Sequence, residues 1–170
     1  MSVRFHYCPR CAQPLEDGER GEVMRRVCPD TSCGFVHWDN PTPVVAAIVE
    51  HEGEIILAHN RSWPPKWYGL ITGFLEAAET PGDGVVREVA EELALTAEAV
   101  RFVGHYDFPQ MNQLIIAYHV VASGEIRLNE ELDDYKRLPP ERVRPWPGGT
   151  GRAVADWLAS AHGIVHEQTR

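Results

Sequence analysis

Apolar and polar positions are arranged differently in two stretches of the chain. Residues 1–38 show little apolar periodicity, whereas strand-like and helix-like patterns alternate from about residue 42 onward. The segment between them, Asp39-Asn40-Pro41-Thr42-Pro43, is rich in turn-forming residues. We therefore predict a small N-terminal domain over residues 1–38 and a larger domain over residues 39–170.

The larger domain contains short apolar runs of the length typical of β-strands. Strands are predicted over residues 44–50, 54–60, 68–74, 99–106, 113–122 and 125–128. Helices are predicted over residues 81–93 and 151–160, and Thr80 and Pro81 suit the N-cap and the first position of the first helix. Strands mixed with two helices, without a regular βαβ repeat, predict an α/β (α+β) fold in which helices cover a mixed sheet.

The composition is that of a globular protein with an acidic surface. The 170 residues suffice for one domain plus a small appendage, and 44% hydrophobic with 24% charged residues is typical of soluble proteins. A net charge of −9 argues against DNA or long RNA as partners, since both are bound through many Lys and Arg contacts to phosphate. Neither a bilayer-spanning apolar run nor a signal-peptide pattern is found, so we expect a cytoplasmic protein without a membrane partner.

The first predicted helix carries an acidic face. Glu88, Glu91 and Glu92 stand at positions i, i+3 and i+4, which share one side of a helix. Such a group is more often a solvated surface, but a compensating cation would convert the repulsion between the carboxylates into a set of ligands. Oxygen donors without neighbouring His or Cys favour Mg²⁺ or Mn²⁺.

The residues around this face make a metal site the better interpretation. The segment resembles the signature of the Nudix family, G-x5-E-x7-R-E-U-x-E-E-x-G-U, in which U is aliphatic. The matching residues are Gly73, Glu79, Arg87, Glu88, Val89, Glu91, Glu92 and Leu95. The late glycine is replaced by Ala94, and alanine costs stability at the end of a helix only if its φ is positive.

The resemblance implies an α/β/α sandwich and the hydrolysis of a nucleoside diphosphate linked to another moiety. It implies that Glu88 and Glu92 are the principal metal ligands and that Glu91 is an additional one. It also implies that Glu79 pairs with Arg87 and holds the loop against the helix. The backbone near Gly73 would face a metal as well.

A second acidic segment follows over residues 129–134. Similar proteins place a further metal-binding glutamate in such a loop, and we favour Glu131 over Glu130 for this role. A solvated acidic loop is an equally good interpretation of either residue taken alone. The general base stays open between a glutamate of the helix and a carboxylate of this loop.

Four cysteines form two close pairs near the N-terminus. Cys8 and Cys11 are separated by two residues, and Cys28 and Cys33 by four. Four thiolates in this arrangement suit a tetrahedral Zn²⁺ site, and a closed site of this kind is structural. We therefore predict a zinc ribbon over residues 1–38. A ribbon that binds nucleic acid is the rival interpretation, which the interspersed acidic residues disfavour.

A zinc ribbon ahead of a Nudix domain resembles the NADH pyrophosphatase group and the related FAD or ADP-ribose pyrophosphatases. The pattern Tyr106-x-x-Pro109-x-x-x-Gln113 is more similar to the FAD or ADP-ribose type than to NADH-selective members. Among the aromatic residues near the signature, Phe74 is the best candidate to stack on a base, because it adjoins the loop of the site. The resemblance also leads us to expect a homodimer.

These observations favour a Mg²⁺-dependent pyrophosphatase that acts on a dinucleotide or an ADP-linked compound, such as NADH, FAD or ADP-ribose. Two alternatives stay open. One is a non-catalytic zinc-ribbon module that binds nucleotides or RNA, and the other is an enzyme that removes a nucleotide cap from RNA 5′ ends.

Overall fold

The computed structural model describes residues 5–165, which form two compact units. One unit comprises the described residues up to Pro41 together with Gln110–Asn112, and the other comprises Thr42–Pro109 and the described residues from Gln113 onward. The domain boundary expected between residues 38 and 39 stays a prediction. No helix of the described part of the chain is long and apolar enough to cross a membrane.

The smaller unit is built on a three-stranded antiparallel sheet. Its strands, in their order across the sheet, are β1 (Glu16–Arg20), β2 (Val23–Val27) and β3 (Val36–His37). Its small apolar core includes two of the cysteines. This core consists of Cys8, Leu15 and Cys28, with Cys33 and Phe35 packed against them.

The larger unit contains a six-stranded mixed sheet and two helices. In chain order its elements are β4 (Thr42–His51), β5 (Glu54–Asn60), β6 (Ile71–Phe74), α1 (Pro81–Leu93), β7 (Thr96–Phe108), β8 (Gln113–Ser123), β9 (Leu132–Leu138) and α2 (Gly151–His162). The strand order is β7-β8-β4-β5-β9, and β6 pairs with the first half of β4. The β4–β8 pair is parallel and the others are antiparallel, which confirms the predicted mixed sheet.

Strand β4 is apolar on both faces because each face packs against a helix. Val45 and Val49 belong to the core cluster that contains Val89 of α1. Ile48 belongs instead to the cluster that contains Trp157 of α2. A strand buried on both sides needs a continuous apolar run rather than an alternating one. The two clusters confirm the α/β/α sandwich.

One strand predicted from the sequence is wrong and another was missed. Residues 125–128 form no strand, because this segment crosses the end of α1, where the Arg127 N–H donates to the Leu93 carbonyl at 2.9 Å. The strand lies further on, in β9, which pairs with the edge of β5. The strand predicted over residues 68–74 is also shorter, since β6 begins at Ile71.

Candidate metal and substrate site

Helix α1 begins and ends where the sequence predicted. The Thr80 hydroxyl accepts a hydrogen bond from the Asp83 N–H at 3.2 Å, and Pro81 occupies the first turn. The N-cap prediction is therefore confirmed. At the other end, Ala94 adopts a left-handed conformation with φ 56°, and its N–H donates to the Ala90 carbonyl at 3.0 Å. This is the conformation that glycine adopts at low cost.

Strand β6 places Gly73 against the carboxylate of Glu88. A methyl group added at Gly73 would overlap both carboxylate oxygens of Glu88. Glu88 itself is buried, with 9% of its surface exposed. Glycine is therefore required at position 73 because the backbone and an acidic side chain approach each other closely.

Arg87 connects the loop before α1 to the acidic face of the helix. Its guanidinium contacts both carboxylate oxygens of Glu79, from Nε at 2.8 Å and from Nη2 at 3.0 Å. Nη1 donates to Glu88 at 2.7 Å and to Glu91 at 3.1 Å, while Nη2 also reaches the Phe74 carbonyl at 3.1 Å. The hydrogen bond from Arg87, followed by one from a backbone N–H, lowers the pKa of Glu79. The structure thus brings together Glu79 and Arg87, the pair that the resemblance implied.

Glu92 lies beside these groups without a compensating partner. Its side chain is 8% exposed, and none of the described residues donates a hydrogen bond to its carboxylate. Burial, followed by the negative charges of Glu88, Glu131 and Glu91, raises its pKa to about 8. Placing a buried carboxylate among other carboxylates is unfavourable unless a cation balances the charge.

These side chains line an acidic cavity of about 440 Å³. Glu131, which the sequence favours over Glu130 as a metal ligand, lies in its wall directly before β9. The lining residues are Val44, Thr72, Gly73, Phe74, Glu76, Arg87, Glu88, Glu91, Glu92, Gln113, Asn129 and Glu131. The structure therefore gathers the candidate residues of the helix, of β6 and of the second acidic segment around one cavity.

The donor set of the acidic cavity fits a hard divalent cation. It offers carboxylate oxygens and backbone groups, and none of the described residues that line it is a His or a Cys. The unpaired Glu92 carboxylate is the observation that most favours such an ion. The glutamate oxygens do not form a group as compact as the cysteine sulfurs, and Arg87 contacts two of these glutamates, Glu88 and Glu91.

A second cavity, of about 610 Å³ and rich in aromatic side chains, adjoins the acidic one. The two cavities share Val44, Thr72 and Gln113. The other residues that line this aromatic cavity are Trp63, Lys66, Trp67, Tyr68, Gly69, Leu70, Phe108, Ile115, Trp146, Pro147, Gly148, Gly149 and Thr150. Phe74, the preferred stacking candidate, lines the acidic cavity instead, and its side chain is 60% exposed.

Sequence reasoning missed Phe108 and Trp146 as parts of the aromatic cavity. Phe108 ends β7, and Trp146 precedes α2 by a few residues. Their approach to the loop after β5 depends on the folding of the sheet, and local patterns carry no signal for it. In the structure, a side chain at Gly151, the first residue of α2, would overlap the Trp146 carbonyl.

The four cysteines of the smaller unit converge on one point. The Sγ atoms of Cys8 and Cys33 lie 3.6 Å apart, those of Cys11 and Cys28 lie 3.4 Å apart, and all four lie within 4.8 Å of one another. Tetrahedral Zn–S bonds of about 2.3 Å separate sulfur atoms by about 3.8 Å, so the spacing fits a zinc ion.

The backbone supports a thiolate at Cys8, whereas burial raises the pKa of Cys28 to about 12. The Arg10 N–H donates to the Cys8 sulfur at 3.4 Å. Burial opposes ionisation of Cys8, but the N–H groups of Arg10 and Cys11 lower its pKa to about 7. The wider second pair is closed by a turn in which the Cys33 N–H donates to the Asp30 carbonyl at 3.0 Å. Among the described residues, these four cysteines are the one compact group of possible metal ligands.

The fold and the site define the class of the protein. A mixed sheet between two helices, with the acidic signature after β6, is the arrangement of Nudix proteins. The profile of the NUDIX domain family matches residues 39–157, which is more than half of the chain. The chain belongs to the NUDIX domain family.

Two named relatives match most of this chain. The NAD-capped RNA hydrolase NudC of Pseudomonas aeruginosa (strain LESB58) is 28% identical over 143 residues, which is 83% of this chain and 50% of the relative. The mitochondrial NAD(P)H pyrophosphatase NUDT13 of Mus musculus is 30% identical over 138 residues, which is 78% of this chain and 38% of the relative. This chain thus spans half or less of the length of these relatives.

Solved structures show the same fold. A NUDIX hydrolase from Nitrosomonas europaea superposes with a TM-score of 0.77 over 95% of both chains, at 21% sequence identity. An ADP-ribose pyrophosphatase from Streptococcus suis superposes with a TM-score of 0.60 over 72% of this chain and 93% of that one, at 22% identity. At this level of identity the similarity is one of fold.

Proposed function

We propose that this chain hydrolyses the diphosphate linkage of a nucleotide-containing small molecule with the help of Mg²⁺ or Mn²⁺. The substrate class is a dinucleotide or an ADP-linked compound, such as NADH, FAD or ADP-ribose. The observation that carries the proposal is the junction of the two cavities, which share Val44, Thr72 and Gln113. A diphosphate in the acidic cavity can thus belong to a molecule whose ring lies among the aromatic side chains.

Glutamates of the acidic cavity would hold the cation. Glu88 and Glu92 are the principal ligands in this proposal, with Glu91 and Glu131 as additional ones. A divalent cation there neutralises charge on the phosphate oxygens and lowers the pKa of an attacking water. Arg87 positions Glu88 and Glu91 through its hydrogen bonds at 2.7 and 3.1 Å.

The ring of the substrate is bound by the aromatic cavity. Trp63 and Trp67 line it from the loop after β5, and Phe108 lines it from the end of β7. A planar ring gains free energy from stacking on such side chains. Phe74 stays a substrate-binding candidate at the edge of the acidic cavity, where it can contact a group next to the diphosphate. The sequence from Tyr106 to Gln113 favours an FAD-like or ADP-ribose-like substrate over NADH.

A second candidate substrate is the nucleotide cap of an RNA 5′ end. The relative from Pseudomonas aeruginosa carries the name NAD-capped RNA hydrolase. In the smaller unit, Trp38 is 52% exposed and the Arg25 guanidinium carbon lies 5.1 Å from the centre of its ring. Exposed aromatic rings beside arginines are typical of surfaces that contact single-stranded nucleic acid.

The cysteine cluster completes the proposal as a structural Zn²⁺ site. The four sulfurs lie close enough to fill all four positions of a tetrahedral Zn²⁺ ion, so the site offers no open position for a substrate. The ribbon interpretation of residues 1–38 rests on this cluster and on the three-stranded sheet around it.

The proposal includes homodimerisation through an edge of the sheet. Strand β7 forms one edge of the sheet and carries the exposed apolar residues Val100 and Phe102. A long edge strand of this kind is prone to pair with another chain. Light scattering on the purified protein tests the expectation, and the cytoplasmic location stays a prediction.

A panel of substrates tests the proposed function. NADH, FAD, ADP-ribose and a short NAD-capped RNA should each be incubated with the protein and Mg²⁺, with nucleotide release measured by chromatography. We expect cleavage at the diphosphate linkage of at least one of them, and none after removal of Mg²⁺. Absence of cleavage of every compound in the panel would contradict the enzymatic interpretation and favour a binding module.

A further inference from the structure

The first part of the loop between β5 and β6, residues 61–67, forms much of the aromatic cavity. It carries Trp63, Lys66 and Trp67 into the lining, and Tyr68 follows directly. The loop packs closely at one point, because a methyl group added at Gly69 would approach the Trp63 ring to 2.9 Å. The position of this loop therefore determines where the ring of a bound substrate lies.

The second acidic segment, residues 129–134, is attached to this loop at several points. The Arg61 N–H donates to the Glu131 carbonyl at 2.9 Å. The Tyr68 hydroxyl donates to Asp134 Oδ2 at 2.5 Å. Because Glu131 lines the acidic cavity and Tyr68 lines the aromatic one, these bonds join the walls of the two cavities.

His59 adds a third connection between the loop and the segment. Its Nδ1 lies 2.6 Å from Asp133 Oδ1, and its Nε2 lies 3.3 Å from the Pro64 carbonyl oxygen. Both neighbours are acceptors, so an imidazolium that donates from each nitrogen satisfies both of them. The hydrogen bond to Asp133 correspondingly raises the pKa of His59. His59 thus links the loop backbone at Pro64 to the residue two positions after Glu131.

We propose, building on the proposed function, that Tyr68 and His59 are positioning residues that couple the aromatic cavity to metal binding at Glu131. Neither residue is a metal ligand in this proposal. They act by fixing the acidic segment relative to the loop, so that Glu131 faces the cation only when the loop is correctly placed. Coupling of this kind is reciprocal, since a ligand that stabilises the loop must strengthen cation binding by the same factor.

The substitution Tyr68→Phe tests the coupling, because it keeps the ring in the cavity wall and removes the hydroxyl that binds Asp134. Mn²⁺ binding without substrate should be measured by water-proton relaxation. We expect the affinity for Mn²⁺ to fall by about fivefold or more. In turnover assays KM should rise, while kcat at saturating substrate and Mn²⁺ should change by less than about twofold. A residue with a merely structural role would not weaken Mn²⁺ binding in a protein that stays folded.

The matched control is Tyr135→Phe, which removes a hydroxyl from β9, the strand that contains Asp134. None of the described residues forms a hydrogen bond with that hydroxyl, and Tyr135 lines neither cavity. We expect this variant to bind Mn²⁺ like the wild-type protein. In a Glu131→Gln background, Tyr68→Phe should cause no further loss of Mn²⁺ affinity, because the affected ligand is already gone.

Unchanged Mn²⁺ affinity in folded Tyr68→Phe would overturn the coupling, even if KM rose. An equal loss of affinity in the Glu131→Gln background would overturn it as well, since the effect would then bypass Glu131. If Tyr68→Phe fails to fold, His59→Gln provides the same comparison through Asp133. Mn²⁺ binding is measured without turnover. A wild-type protein that cleaves no diphosphate would therefore contradict the proposed function, and the Mn²⁺ affinities of the variants could still be compared.

Discussion

Gly73 and Glu88 lie in direct contact, with no room for a side chain between the β6 backbone and the carboxylate. We expect Gly73→Ala to displace Glu88 and to lower kcat by about tenfold to a hundredfold, since misplacement of a reacting group by about 1 Å has effects of this size. Steady-state assays with Mg²⁺ and thermal unfolding measure the two consequences. The fold should persist, because the residue that must move is a side chain rather than backbone.

The control for this substitution is Gly82→Ala. An added methyl group at Gly82 finds its nearest neighbour, Thr80 Oγ1, at 3.9 Å. Gly82 lies in α1, where alanine stabilises a helix relative to glycine by about 1 kcal/mol. This variant should therefore be active and slightly more stable. If both variants lost activity to the same extent, contact with Glu88 would not be the cause.

Glu92→Gln should remove a principal ligand without removing a structural contact. The Glu92 carboxylate accepts no hydrogen bond from the described residues, so we expect the fold to survive. Activity should fall by about a hundredfold or more, and Glu88→Gln should have a smaller effect. Kinetics at several Mg²⁺ concentrations, with circular dichroism as the check on folding, provide the measurement.

The exposed Glu98, which belongs to neither cavity, supplies the control Glu98→Gln. Near-normal activity of Glu92→Gln would show that the metal assignment is wrong.

Ala94→Gly should stabilise the protein. The left-handed conformation of Ala94, with φ 56°, costs an L-residue about 1–2 kcal/mol, and glycine adopts it freely. The greater entropy of glycine in the unfolded chain offsets about 0.4–1 kcal/mol of this gain, which leaves a net increase of about 0.5–1 kcal/mol in the free energy of unfolding. Urea denaturation measures it. Ala90 lies within the same helix and is exposed to solvent, so Ala90→Gly should instead destabilise the protein by about 1 kcal/mol. Destabilisation by both substitutions would contradict the explanation.

The sequence predicted α1 better than it predicted the surroundings of the site. The bounds of α1 follow from local signals, namely the Thr80 cap, the following proline and the apolar periodicity. Strand β9 has no such signal, since Asp133, Asp134 and Lys136 make it polar, and its structure depends on pairing with β5. The family signature carries Glu88, Glu91 and Glu92, so their meeting in one cavity could be expected from the sequence, while their role as metal ligands stays a prediction. The aromatic cavity combines distant segments, and its composition therefore required the three-dimensional structure.

His119 should make stability depend on pH below neutrality. Its side chain is buried between Glu50, 2.8 Å from Nε2, and the ring of Trp157, whose centre lies 5.1 Å away. Burial lowers the pKa of His119, although the hydrogen bond to Glu50 opposes this effect. A histidine with a lowered folded pKa contributes full stability above its unfolded pKa of about 6.5. That contribution is lost as the pH falls through the folded value, because the unfolded chain binds the proton more readily.

The pH dependence can be isolated by comparison with His119→Gln. Urea denaturation of both proteins between pH 8 and pH 5 should give a steeper loss of unfolding free energy for the wild-type protein. Carboxylates that do not contact His119 contribute equally to both curves, so the difference between the curves reports on His119 and its partner Glu50. Parallel curves would show that protonation of His119 is not penalised in the folded state.

Removal of zinc should lower stability more than it lowers the chemistry of the folded protein. The four cysteine sulfurs lie within 4.8 Å of one another, and Cys8 and Cys28 belong to the small core of this unit. The ion would thus replace contacts that a larger apolar core otherwise supplies. We expect one zinc per chain by atomic emission and a loss of zinc in Cys28→Ser. The unfolding midpoint should fall by about 5 °C or more, which corresponds to about 2 kcal/mol for a chain of this size.

His37→Gln is the control, because His37 lies outside the cysteine group and should leave the zinc content unchanged. If Cys28→Ser kept its zinc and its midpoint, the structural role of the cluster would be wrong. If turnover per folded molecule fell in proportion to zinc with Mg²⁺ in excess, the ion would have a catalytic role instead.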